Sequence, residues 1–245
     1  MTDDKSIELA KEAMKESFQA AKEFAGKLVN PGLEEGGGII QDTVKFWRFK
    51  NQINILLKAE KFLKEKGITP KTINPKTLVP LLENGSLEEE ESMQNKWAAL
   101  IANASASHNS ESVKPSFPEI LKELSPVEAS LLDKLFDEVN QQPQERRFET
   151  VFDKEKICKF YKINEDDFNV IADNLFRLNL CQPPASFGGV TIGKFPIVLR
   201  TYEHICFTPL GYKFVKSCRF EGTSKNRTLP CTASQCFSVA QIYTL

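Results

Sequence analysis

The sequence predicts a mainly α protein with a small β component, built as an N-terminal helical bundle followed by a C-terminal winged-helix-like domain. Apolar residues recur every three or four positions through most of the first half, which is the period of amphipathic helices. The last third instead has the order strand, two helices, hairpin and helix, which is typical of winged-helix domains. With 41% hydrophobic residues, 27% charged residues and a formal net charge of −1, the composition is that of a globular protein and excludes a chain that is basic along its whole length.

The first predicted element is an amphipathic helix over residues 5–29, where apolar residues fall at spacings of three and four. An Asn-Pro-Gly sequence at 30–32 ends it, and three glycines follow at 36–38. The glycines lack the Lys-Ser/Thr that completes a phosphate-binding loop, so we interpret them as a flexible joint. Residues 1–35 therefore form one helix and a Gly-rich joint in this prediction.

Residues 40–66 predict a second amphipathic helix with a basic character. Seven basic and three acidic residues lie between positions 41 and 66, which gives a local charge of +4. Basic amphipathic helices bind anionic membranes or nucleic acids in many proteins. The candidate interaction surface on this helix consists of Lys45, Arg48, Lys50, Asn51, Lys58 and Lys61.

A competing explanation for these charges lies in the same chain. Residues 86–105 predict a helix that begins with a capping box formed by Ser86 and Glu89, with carboxylates at 88–91 in its first turn. This acidic helix start could pair with the basic helix inside one bundle. Intramolecular pairing, a membrane or nucleic-acid surface, and a protein partner all remain open at this point.

Between and after these helices the pattern is weaker. Residues 69–85 contain three prolines beside an apolar stretch, and we assign no helix to them. A short helix is predicted at 117–124, and Ser125 with Glu128 forms a second capping box for a helix that reaches Val139. A polar break at 141–144 follows, and we place the end of a helical domain over residues 36–142 there, with a boundary near residue 110 as the alternative.

The winged-helix-like domain is predicted over residues 143–218. A strand at 148–152 precedes a helix capped by Asp153 and a second helix over 165–180 capped by Asn164. Two β-like runs and a last helix opened by Thr208 complete the order, and the phrase "ICFTPLGYKFV" resembles the end of many winged-helix domains. The tail 219–245 receives no predicted structure.

The charges of this domain argue against sequence-specific DNA reading. The second helix, which many winged-helix proteins insert into DNA, begins Glu165-Asp166-Asp167, and phosphates repel such a surface. Positive charge lies elsewhere in the domain. The candidate winged-helix basic surface consists of Lys194, Arg200, Lys213, Lys216 and Arg219.

No catalytic, cofactor-binding or metal-binding residues are predicted. All six cysteines lie in the last third without a CxxC pair, and only His108 and His204 could complement them, so no zinc pattern can be written. We expect Cys158, Cys181 and Cys206 to be small buried hydrophobic residues, since each has an apolar neighbour. The sequence therefore predicts a protein that is not an enzyme and needs no cofactor.

A family resemblance rests on four long segments in order along residues 35–218. They are "GGGIIQDTVKFWRFKNQINILLKAEKFLKEKGI", "LVPLLENGSLEEEESMQNKWAALIANA", "VKPSFPEILKELSPVEASLLDKL" and "FTPLGYKFVKSC". Together they resemble a bacterial family called abortive infection alpha. The resemblance implies a role in phage defence, in which an infected cell stops growing or dies before phage are released. It implies no catalytic residues.

The leading hypothesis is thus a non-enzymatic anti-phage defence protein that acts through contacts with a host or phage protein, or with itself. One alternative is a membrane-surface effector that uses helix 40–66, and another is a winged-helix nucleic-acid-binding regulator. No apolar run approaches the ~18 residues of a membrane span, and no secretory signal is visible at the N-terminus. We therefore expect a cytoplasmic protein, with peripheral attachment to the inner membrane surface as the alternative.

Overall fold

A computed structural model describes residues 2–28, 46–106, 113–184, 190–192, 195–197 and 202–220. The helices are α1 (Thr2–Leu28), α2 (Phe46–Glu65), α3 (Pro75–Gly85), α4 (Glu91–Ala106), α5 (Phe117–Lys122), α6 (Pro126–Asn140), a 3₁₀ helix (Gln144–Glu149), α7 (Lys154–Tyr161), α8 (Glu165–Arg177) and α9 (Pro209–Ser217). The strands are β1 (Val151–Asp153), β2 (Cys181–Gln182), β3 (Val190–Ile192), β4 (Phe195–Ile197) and β5 (His204–Phe207). The predicted fold class, mainly helical with a small β component, is confirmed.

Helices α2 and α4 form the centre of the helical part, and α1 packs along α2. The apolar stripes of these helices face one another because their spacing follows the helical period. Trp97 on α4 is 1% exposed, and Ile55 on α2 and Phe24 on α1 are buried with it in the same hydrophobic cluster. The basic helix of the sequence analysis is therefore a core helix along its apolar side.

The segment before α4 differs from the prediction. Residues 75–85 form helix α3, in which Pro75 occupies the first turn and the side chain of Asn74 accepts a hydrogen bond from the backbone of Lys76. Ser86 does not begin the next helix with Glu89, as its capping box predicted, because it caps the end of α3 instead. Helix α4 begins at Glu91, so only the last of the four glutamates lies in its first turn.

The remaining caps agree with the prediction. Ser125 and Glu128 form both bonds of the capping box of α6. Asp153 caps α7, Asn164 caps α8, and the Thr208 hydroxyl accepts a hydrogen bond from the Gly211 backbone at the start of α9. Each of these caps joins residues three positions apart, so the local sequence is sufficient to predict it.

Two boundaries in the C-terminal part were predicted wrongly. The strand expected at 148–152 begins later, as β1 at Val151, because residues 148 and 149 end the 3₁₀ helix. Helix α8 ends at Arg177 and does not reach residue 180. Asn179 has φ 55°, in the left-handed region that a continuing helix cannot use.

The sheet is antiparallel, with β5 between β1 and β2. Phe152 on β1 lies opposite Ile205, and Cys181 on β2 lies opposite Phe207. Strands β3 and β4 form a separate hairpin. Helix α9 approaches the sheet so closely that a Cβ at Gly211 would lie 2.0 Å from the backbone oxygen of Leu180, which requires glycine at this position.

Helix α9 joins the two parts of the molecule, because it packs on α4 and α6. Phe214 on α9 meets Phe117 of α5 edge to face, with ring centroids 5.4 Å apart. The buried side chains of both parts belong to one hydrophobic cluster. The winged-helix class and the domain boundaries remain predictions.

Some predictions concern residues outside the described ones. These are the Gly-rich joint at 36–38, the start of the basic helix at 40–45, His108 and the tail from residue 221 onward. Of the candidate surface residues, Lys45, Lys194 and Arg200 also lie there.

Candidate functional site

The polar face of α2 packs on the segment that joins α3 to α4. This contact, which we call the polar junction, is formed by Arg48, Asn51, Gln52, Lys58, Ser86 and Gln94. Arg48 Nε donates to Ser86 Oγ over 3.1 Å, and Asn51 Nδ2 donates to the Ser86 backbone oxygen over 3.3 Å. Three of the predicted surface residues therefore hold the helical part together.

Most polar groups of the junction are buried and bonded. Gln94 Nε2 donates to the Glu88 backbone oxygen over 3.0 Å, and Gln52 Nε2 donates to that of Leu82 over 3.1 Å. Lys58 Nζ lies 3.5 Å from Gln94 Oε1 and 3.7 Å from a carboxylate oxygen of Glu91. The predicted meeting of the basic helix with the acidic helix start thus occurs at Lys58. The other two surface residues on α2, Lys50 and Lys61, are exposed.

A second group of polar residues surrounds the C-terminal end of α9. Asn103 Nδ2 on α4 donates to the backbone oxygens of Ser217 and Arg219 over 2.8 and 3.0 Å. Arg219 Nη1 donates to Asp137 on α6, and its guanidinium lies 5.0 Å from the ring centroid of Phe136. These contacts fix residues 217–219 against α4 and α6.

The fixed segment separates two surface clefts. The larger, which we call the basic cleft, has a volume of about 510 Å³. Its polar lining consists of Lys66, Asn103, Asp137, Asn140, Lys216 and Arg219. Its apolar lining consists of Ile68, Ala106, Phe136 and Phe220. A cleft of this size lies within the range of small-molecule sites in proteins.

The charge of the basic cleft is unbalanced. Three cationic side chains line it, from Lys66, Lys216 and Arg219, and among the described residues of its wall Asp137 supplies the one carboxylate. Neither Lys66 nor Lys216 has a carboxylate partner in the part of the chain that the structure describes. The cleft therefore carries an excess of two positive charges.

The second cleft, of about 430 Å³, is also lined by Arg219 and Phe220. Its main charges are Lys96 and Asp133, which form an ion pair with each other. Cys218 also lines it, and burial raises the pKa of this thiol. A neutral thiol is a poor nucleophile, so the second cleft offers no reactive cysteine.

Another strong interaction lies at the edge of the sheet. Lys154 Nζ donates to carboxylate oxygens of Glu165 and Glu203 over 2.8 and 3.1 Å. These bonds raise the pKa of Lys154. The three residues come from the start of α7, the start of α8 and the turn before β5, so the interaction fixes the two helices against the sheet.

The remaining cysteines agree in part with the prediction. Cys181 and Cys206 are buried, whereas Cys158 is half-buried. Burial raises the pKa of Cys206 to about 11 and also raises that of Cys181. Within the described residues, His, Cys, Asp and Glu side chains do not gather into any group of three that could hold a metal ion.

The structure brings only some of the predicted site residues together. Lys216 and Arg219 share the basic cleft, while Lys213 is exposed outside its lining. Asp137 was not among the predicted site residues, because 82 positions separate it from Arg219 and no local pattern connects them. Lys66 carried a signal as one of the basic residues that end helix 40–66, yet its neighbour across the cleft could not be deduced from spacing.

The described residues define a mainly helical protein with a small antiparallel sheet and the two clefts described above. The family model for abortive infection alpha matches residues 50–218, and the chain belongs to that family. The resemblance stated from the sequence is therefore confirmed. Neither a curated protein nor a solved structure matches the chain. Every helix within the described residues is too short or too polar to cross a bilayer.

Proposed function

We propose that this protein acts in anti-phage defence by abortive infection, in the cytoplasm, through protein–protein contacts and without a catalytic centre. The family match over residues 50–218 carries the defence role. The partner is a host protein, a phage protein or a second copy of the chain. A contact mechanism requires a surface that a protein partner can recognise.

The outward face of α8 supports this mechanism. Val170 is 70% exposed, and Asp166, Asp167 and Asp173 neighbour it at the spacings that place side chains on one helix face. Phe160 on α7 is also 53% exposed. The carboxylates around Val170 complement a protein segment with basic residues and repel nucleic acid and anionic lipid.

The defence role is tested by infecting cells that carry the gene and cells that lack it. We expect fewer phage released per infected cell. We also expect infected cells to die earlier than the time at which lysis normally releases phage. Infection at low and at high phage-to-cell ratios separates abortive infection, which protects only the population, from a block of phage entry. Equal phage yields across a broad panel of phages would overturn the proposed role.

The contact mechanism is tested with Val170→Lys, which places a cation in the centre of the acidic face. Leu87→Lys is the matched control, because Leu87 is 51% exposed on a different surface. We expect Val170→Lys to lose protection at least tenfold and Leu87→Lys to retain it, with both proteins melting near the parent temperature. Equal protection by the two variants would contradict a role for this face.

The absence of catalysis is tested by incubating the purified protein with nucleotides, nucleic acids and peptides. We expect no turnover above that of a buffer control. Turnover that stops when one cleft side chain is replaced would overturn this part of the proposal.

A further inference from the structure

We propose that the basic cleft is a binding site for a phosphate-bearing small molecule of nucleotide size. This inference does not depend on the proposed function, since it rests on the volume, charge and hydrogen-bonding groups of the cleft. A volume of about 510 Å³ accommodates one such ligand. The site is bounded by the ends of α2, α4, α6 and α9.

The two lysines are the first reason. Lys96, which lines the second cleft, has Asp133 as its carboxylate partner. Lys66 and Lys216 have none among the described residues, although they line the same cavity. Both lie at helix C-terminal ends, where the partial negative charge of the helix dipole favours a cation but is smaller than a full counter-charge. A multiply charged anion would supply it to both.

The fixed orientation of Arg219 is the second reason. Asp137 holds one edge of its guanidinium, and the ring of Phe136 lies below its plane. A guanidinium has five N–H donors, so the bond to Asp137 leaves others for a ligand oxygen. Because arginine binds phosphate through a planar fork of donors, a guanidinium that is already oriented loses little conformational freedom on binding.

The neutral polar groups add donors on the same wall. Asn140 Oδ1 accepts a hydrogen bond from Tyr212 over 2.7 Å, which directs the amide nitrogen of Asn140 away from the tyrosine. Asn140 lines the cleft, so this nitrogen is a donor available to a ligand. A wall of ammonium, guanidinium and amide donors recognises an acceptor-rich anion, and a phosphate group offers three strong acceptor oxygens.

The apolar lining selects the rest of the ligand. Ile68, Ala106 and Phe136 contribute carbon surface to the same cavity. Inorganic phosphate would leave that surface in contact with water, whereas a molecule with a ring beside its phosphates would cover it. The inferred ligand class is therefore a nucleotide or a phosphorylated metabolite of similar size. A membrane headgroup fits less well, because the phosphates must enter a concave site.

The test measures binding of ATP, AMP, pyrophosphate and adenosine to the purified full chain by isothermal titration calorimetry. We expect ATP to bind, AMP and pyrophosphate to bind more weakly, and adenosine to bind at least tenfold more weakly than ATP. Binding of adenosine as tight as that of ATP would overturn the proposal, because phosphate would then contribute nothing. Failure of all the phosphate-bearing probes to bind at millimolar concentration would also overturn it.

Variants locate the site. In Lys66→Gln with Lys216→Gln we expect at least a tenfold loss of ATP affinity. The matched control is Lys50→Gln with Lys61→Gln, which removes the same charge from exposed positions outside the cleft. Equal losses in the two double variants would indicate binding by net charge alone and would contradict the site. Circular dichroism and the melting temperature verify that both proteins remain folded.

Discussion

The polar junction and the basic cleft both contain polar side chains from distant parts of the chain, but these side chains differ in whether they have partners within the protein. In the junction nearly every donor meets an acceptor of the protein, and Ser86, Gln52 and Gln94 are almost fully buried. In the cleft, Lys66 and Lys216 face solvent without a carboxylate among the described residues.

This difference separates polar groups that stabilise the fold from polar groups that are available to a ligand. Buried polar groups must be bonded, because an unpaired one costs about 1–3 kcal/mol. An exposed ammonium has water as its partner and stabilises the fold little. The basic residues between 46 and 66 are alike in the sequence. Their packing distinguishes Arg48 and Lys58, which bond to Ser86 and Gln94, from Lys66, which is exposed. Mutations in the two regions should therefore change different measurements.

The largest loss of stability is expected beneath the polar junction, at Trp97. Its side chain is 1% exposed, and Trp97→Ala would leave a cavity that costs about 3–5 kcal/mol of unfolding free energy. The measurement is urea denaturation followed by circular dichroism. Trp97→Phe is the control: the indole Nε1 is buried without a partner among the described residues, so its removal should cost less than about 1.5 kcal/mol. Equal losses in the two variants would contradict a packing role.

The junction itself should lose about 1–3 kcal/mol when one of its amides is removed. Asn51→Ala and Gln94→Ala each leave backbone oxygens without a donor, and the two amides also contact each other over 3.5 Å. Because they share this contact, the double variant should lose less than the sum of the single losses. Asn95→Ala is the control, since Asn95 is exposed on the same helix and should cost under about 0.5 kcal/mol. Strictly additive losses would contradict a connected network.

The helices around these regions also show which caps and helix boundaries could be predicted from the sequence. The caps at Ser125, Asn164 and Thr208 were predictable because donor and acceptor lie within three positions of each other. Helix α3 was not predicted, because its prolines resemble those of a loop, although Pro75 occupies a helix start that tolerates proline. Because α3 was not predicted, the predicted start of α4 lay five residues too early, at Ser86 instead of Glu91.

The basic cleft lay further beyond prediction than any helix boundary. Its charged residues come from the ends of α2, α6 and α9, and they meet because the helices pack together, with α9 on α4 and α6. Amphipathic periodicity indicates which face of each helix is buried but not which helix ends meet. Two of its cations, Lys216 and Arg219, were predicted as a surface of the winged-helix-like part, and their clustering with Lys66 follows from packing alone.

A smaller effect is expected at alkaline pH from the core of the sheet. Burial raises the pKa of Cys206 from 9.0 to about 11, so the folded protein keeps a proton that the unfolded chain releases. The contribution of this thiol to the unfolding free energy therefore falls as the pH rises above 9. Between pH 9 and pH 10 the fall should be about 1 kcal/mol. Urea titrations at both pH values measure the drop. In Cys206→Ala the drop should be smaller by that amount, and an unchanged drop would contradict a protonated buried thiol.

The smallest change of stability is expected in the basic cleft. Lys66→Gln with Lys216→Gln removes two exposed cations from helix ends, where each contributes about 0.5 kcal/mol or less. A loss as large as that of Gln94→Ala would mean that the lysines serve the fold, as the junction residues do. The informative measurement adds pyrophosphate, because a ligand that binds only the folded protein raises its unfolding free energy with concentration. The melting temperature of the parent chain should then rise while that of the double variant stays constant, which separates a binding role from a structural one in a single experiment.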